Sequence, residues 1–77
     1  MKITHDRVAD AIYILLSNEP YAYGSDLDEE RRVDYDANNN PMGIELLCVS
    51  EGIITDALPN RAEVEQALDD RGIRTYA

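Results

Sequence analysis

Two short apolar runs on either side of Asn38-Asn39-Asn40-Pro41 constrain this chain more than any other feature. In Arg32-Val33-Asp34-Tyr35-Asp36, Val33 and Tyr35 alternate with charged residues, so a strand here buries one face and wets the other. After the turn formers, Gly43-Ile44-Glu45-Leu46-Leu47-Cys48-Val49-Ser50 reads as the second arm of a β-hairpin. In that arm Ile44, Leu46 and Cys48 point one way, while Leu47 and Val49 point the other and are apolar too. This predicts a central strand covered on both faces, by a helix on one and by a second subunit on the other.

Upstream, Ala11-Ile12-Tyr13-Ile14-Leu15-Leu16-Ser17 is rich in β-branched and aromatic types and stops at Asn18-Glu19-Pro20. It reads as a strand with Ile12, Ile14 and Leu16 inward. A helical reading competes, because Val8, Ile12, Leu15 and Leu16 also share a helical face with Asp6 in place to cap it. On the strand reading, Lys2 to His5 forms a first strand, and Asp6 and Asp10 bond backbone N–H groups in the turn between them. Tyr21-Ala22-Tyr23 adds a short edge strand.

The period changes after Pro59. Asn60 with Glu63 three residues on has the spacing of a capping box, Val64, Ala67 and Leu68 share a helical face, and Gly72 stands where a C′ glycine belongs. A helix of about 12 residues follows, with Ile73 and Tyr76 packing back on the sheet. Residues 51–59 are either an extended piece or a plain connector. The whole reads as one α+β domain: an antiparallel sheet of about four strands in two hairpins over 1–50, a connector over 51–59, a helix over 60–72 packed on one face, and a tail over 73–77.

Length and charge then limit what the domain does. A 77-residue chain buries only about 60–65% of its unfolded surface, and eight of its apolar residues are alanines, so stability should be modest. Seven Lys and Arg against 16 Asp and Glu give a net charge of −9, which repels phosphate backbones and anionic membranes. Neither nucleic acid nor a membrane is an expected partner. Cys48 is the only cysteine and so makes no intramolecular disulfide. With no apolar run near the roughly 18 residues of a spanning helix and no signal-peptide pattern after Met1-Lys2, a cytoplasmic location is expected.

Few residues offer catalytic chemistry. Asp36, Asn38 and Asn40 fall on positions 1, 3 and 5 of an EF-hand-like loop, but Pro41 replaces the glycine of the sharp turn and Leu47 the bidentate glutamate. The loop therefore reads as a hairpin turn, and no metal site or cofactor is expected. His5 is the only imidazole able to activate Cys48, and Cys48 is expected inside the sheet as a small hydrophobe. Asp34 with Asp36, or Asp34 with Glu45 across the hairpin, are carboxylate pairs of the kind that does acid/base work, and equally the wet face of any hairpin. The four glycines stand singly, which leaves no phosphate-cradling loop.

The opening Met1-Lys2-Ile3-Thr4-His5-Asp6-Arg7-Val8-Ala9-Asp10-Ala11-Ile12-Tyr13-Ile14, with Val33-Asp34-Tyr35-Asp36 and Gly43-Ile44-Glu45-Leu46-Leu47, resembles the small prokaryotic family called domain of unknown function 2283. Its pattern begins M-K-(I/V)-x-Y-D-x-x-A-D-A-(L/I)-Y-I and continues with V-D-Y-D, a short turn and G-I-E-(I/L)-L. His5 stands where Tyr is usual, Cys48 where Asp is common, and residues 52–77 lie outside the pattern. The resemblance implies a mainly antiparallel β domain with no assigned activity and no catalytic residues to carry over. Relatives encoded beside small toxin-like proteins imply an antitoxin-like or partner-binding role.

The functional expectation is a non-enzymatic protein-binding module, inhibitor-like toward a basic partner, working as a homodimer. Five tyrosines without Phe or Trp suit either half-buried sheet edges or an interface. The residues assigned to partner binding are Tyr21 and Tyr23 with the acidic run Asp26, Asp28, Glu29 and Glu30. The alternative is a small metal-dependent hydrolase or ligand-binding accessory protein, its site built across a dimer from Asp34, Asp36, Glu45 and His5.

Overall fold

Alternation at period two decides the centre of the molecule. The computed structural model describes residues 1–76 and places β1 at Lys2–Asp6, β2 at Ala11–Leu15, β3 at Tyr23–Asp26, β4 at Arg31–Tyr35 and β5 at Pro41–Leu46. They form one antiparallel sheet in the order β1-β2-β5-β4-β3. The β1–β2 hairpin thus joins the β3–β4–β5 meander through β2 and β5, with Ile12 opposite Leu46 and Ile14 opposite Ile44. That register points four fully buried aliphatic side chains to one face. The sheet has five strands rather than about four, because Tyr23–Asp26 pairs along β4. The edge strand begins two residues later than Tyr21 and takes in the first residue of the acidic run.

The apolar face is covered by the C-terminal segment. Helix α1 spans Arg61–Asp70 and sinks Val64 and Leu68 against Ile12, Ile14, Ile44 and Leu46. Residues 53–54 and 75–76, Ile53–Ile54 (β6) and Thr75–Tyr76 (β7), pair parallel in a second small sheet. The connector is thus extended only at Ile53–Ile54, where it is tied to the tail, while Ala77 of the tail lies outside the described residues. Thr55, fully buried, has its hydroxyl oxygen 2.7 Å from the Glu65 carboxylate and 2.9 Å from the Tyr76 carbonyl, locking α1 to both short strands.

Three local expectations change. Strand β5 ends at Leu46, and Cys48 turns left-handed (φ 53) into a single 3-10 turn at Val49–Glu51. Val49 thereby swings into the same core as Ile44 instead of the opposite face, so the packing argument for a second subunit over that face falls away. Cys48 is half-buried outside the strand rather than inside the sheet. Asn60 sits at the N-cap of α1 without a side-chain capping bond. A cap oxygen reaches the first-turn N–H groups from extended backbone, and Asn60 is left-handed at φ 53. The helix also runs two residues shorter at its C-terminal end than 60–72, ending at Asp70. Gly72 performs as expected: at φ 73 its N–H reaches Asp69 O and that of Ile73 reaches Leu68 O, a Schellman pair.

Candidate functional site

The sheet face turned away from α1 collects side chains from every strand. Tyr13 of β2 is directly opposite Glu45 of β5, Glu45 is opposite Arg32 of β4, and Arg32 is opposite Asp26 of β3. Cross-strand registry alone therefore builds a chain of polar groups across the face. The Tyr13 hydroxyl donates to Asp34 Oδ2 at 2.8 Å, and Arg32 Nε stands 3.4 Å from Asp34 Oδ1. The same guanidinium donates to Asp26 at 2.8 Å and lies 3.5 Å from the Tyr21 hydroxyl.

Two glycines make this layer possible. A methyl at Gly43 would overlap the Tyr13 hydroxyl, and one at Gly24 would overlap the Arg32 guanidinium, so both long side chains lie flat on bare backbone. A bulge where β4 meets β5 adds Met42, whose sulfur is 3.8 Å from the Tyr13 hydroxyl. Burial, then the Asp34 carboxylate, push the Tyr13 phenol up to about 12. A phenol in that state donates a hydrogen bond and is no base near neutrality.

The acidic hairpin adjoins this face. After β3 the chain turns through Leu27–Glu30, closed by the Leu27 N–H on Arg31 O at 2.8 Å. Asp28 accepts from the Glu30 N–H and from Arg31 Nε, contacts that hold its carboxyl below the usual carboxylate range. Asp26 and Asp28 are thus neutralised by the two arginines that follow them. Glu29 and Glu30 carry no ion pair among the described residues. Arg31 also donates to Ile54 O at 2.9 Å, fastening the hairpin to β6. Tyr23 stacks on Tyr35 with centroids 5.1 Å apart and donates to Asn39 at 2.8 Å, yet stays 42% exposed. Tyr21 is 56% exposed, and Leu27 beside it is exposed as well. All six residues assigned to partner binding therefore lie on or next to β3 and its turn. Their organisers, Arg31 and Arg32, went unassigned in the sequence, although the cross-strand opposition of Arg32 to both Asp26 and Glu45 marks that role.

The residues of the alternative hydrolase do not converge within this chain. Asp34 and Glu45 share the outer face, whereas Asp36 is buried and spends its Oδ1 on the N–H groups of Asn38 and Asn40. His5 projects to the other face of β1, opposite Ile12. Cys48 has Glu30 and Glu51 for neighbours, with the three donor atoms within 4.8 Å of one another. The carboxylates, Glu30 foremost, push the thiol up to about 11, away from a nucleophilic thiolate. Asp6 accepts from the Val8 and Ala9 N–H groups as expected. Asp10 instead reaches across the fold to the Ser50 N–H and hydroxyl, at 2.9 and 2.7 Å.

A family model described as a protein of unknown function, DUF2283, matches residues 2–50. No curated protein and no solved structure matches the chain.

Proposed function

Since the chain belongs to the DUF2283 family, which carries no assigned activity, we propose from its own surface that it is a non-enzymatic binding module that docks an extended basic segment of a partner protein along β3. The observation that carries this reading is the combination at one sheet edge. Strand β3 ends the sheet order, so its outer backbone groups are free to pair. Exposed Tyr21, Tyr23 and Leu27 supply apolar contact beside it, and Glu29 and Glu30 supply charge that no ion pair among the described residues cancels. A partner rich in Lys and Arg complements both. An inhibitor-like or antitoxin-like role fits such chemistry, in a cytoplasmic setting where the free thiol of Cys48 stays reduced.

Titration of the labelled protein with an arginine-rich extended peptide tests this by amide shifts. Shifts along residues 21–31 that weaken with added salt are the expected result. Shifts absent from that edge, or unaffected by salt, overturn it. A homodimer is the second reading, favoured by the open groove in which Met1 and Ile3 of the β1 side face Ala62 and Ala67 of α1. Light scattering separates the two, since self-association there doubles the mass without any peptide.

A further inference from the structure

The cations of this acidic chain are not spread evenly. Of its seven Lys and Arg, Arg31, Arg32 and Arg61 are held in ion pairs, and the other four make none among the described residues. Three of those four, Arg7, Arg71 and Arg74, line one open cleft of about 530 Å³ together with His5, the only histidine. They come from separated parts of the chain: Arg7 from the β1–β2 turn, Arg71 from the C-cap of α1, and Arg74 from the approach to β7. Folding therefore assembles a cationic pocket that the sequence does not display.

Gathering like charges costs free energy, and 16 acidic residues were available to relieve it. Among the described residues the one carboxylate in the cleft wall, Asp10, has both oxygens engaged by Ser50. The end of α1 favours a cation at Arg71, and Arg74 lies over the Tyr76 ring at 5.3 Å. Neither contact involves Arg7, which lines the same cleft from the β1–β2 turn.

We propose that this cleft binds a small, multiply charged oxyanion, carried as a phosphoryl or carboxylate group on a metabolite, between the guanidinium groups of Arg7, Arg71 and Arg74. Guanidinium forks match such oxygens in pairs, and His5 and the backbone near Ser50 complete the wall. The size of the cleft and the net charge of −9 select a small ligand, because a nucleic acid or anionic bilayer meets the field of the whole protein. This site is separate from the β3 edge and does not depend on the partner reading.

Amide-shift titrations of the full chain with pyrophosphate, inorganic phosphate and citrate, at ionic strength held constant with sodium chloride, test it. Saturable shifts at His5, Ser50, Gly72 and Arg74 are expected, and Arg7→Gln or Arg71→Gln should each weaken binding about tenfold. Lys2→Gln, outside the cleft, should leave it unchanged. Saturation by the phosphates alone assigns a phosphoryl ligand, by citrate alone a carboxylate, and by all three the oxyanion charge itself. Shifts that stay linear and match those of chloride, or a triple Gln variant at the three arginines that retains the wild-type amide fingerprint and binds as tightly as wild type, overturn the proposal.

Discussion

At Gly43 and Tyr13 the absence of one side chain sets the position of another. The Tyr13 ring occupies the space a Gly43 side chain would fill, so Gly43→Ala should destabilise the fold by about 1–3 kcal/mol. The loss should shrink in a Tyr13→Ala background, as a double-mutant cycle by chemical denaturation would show. The same tyrosine gives the molecule an alkaline limit. Its phenol rises from 10.0 to about 12 on folding, so the folded state holds the proton more tightly than the unfolded one. Stability should therefore be intact below about pH 10 and decline as pH rises from there toward 12, with Tyr13→Phe showing a shallower decline in pH-dependent melting. Cys48, pushed up to about 11 beside Glu30 and Glu51, should alkylate more slowly than free cysteine at mild alkaline pH. A Glu30→Gln, Glu51→Gln double variant should restore much of that rate.

Elements were legible in the sequence where a single periodicity governed them, and less so where a backbone turn intervened. Alternation in Val33-Asp34-Tyr35 gives β4 directly and Gly72 marks the end of α1, while around Ile12 two periodicities competed and the strand β2 is the one that forms. Gly72→Ala meets no neighbour, so its cost is the left-handed backbone alone, about 1 kcal/mol in a thermal melt. The end of β5 was illegible because Leu46-Leu47-Cys48-Val49 continues an apolar run. Only the left-handed turn at Cys48, held by the Val49 N–H on Asp10 O at 3.1 Å, sends Val49 inward. That contact links residues 39 apart in sequence, beyond the reach of any local pattern. Asn60 failed as a side-chain cap for a related reason, since spacing specifies the residue and not the backbone that aims it.

Across the whole molecule, the family-matched part and the rest are one core. Ile53, Leu58, Val64 and Leu68 interlock with Ile12, Ile14, Ile44, Leu46 and Val49, although the family match stops at residue 50. A chain ended after residue 50 should lose cooperative unfolding, visible as a broad melt by circular dichroism. The acidic hairpin was legible as a run of charges, but not the division within it. Arg31 and Arg32 quench Asp26 and Asp28, while Glu29 and Glu30 make no ion pair among the described residues and lie near the exposed tyrosines. The most direct test is affinity capture from the native host with two baits, the wild-type chain and a Tyr21→Ala, Glu29→Gln, Glu30→Gln variant, each at low and high salt. The account predicts one basic protein retained by wild type at low salt, released at high salt and lost by the variant. Equal retention by both baits, or retention indifferent to salt, would contradict it.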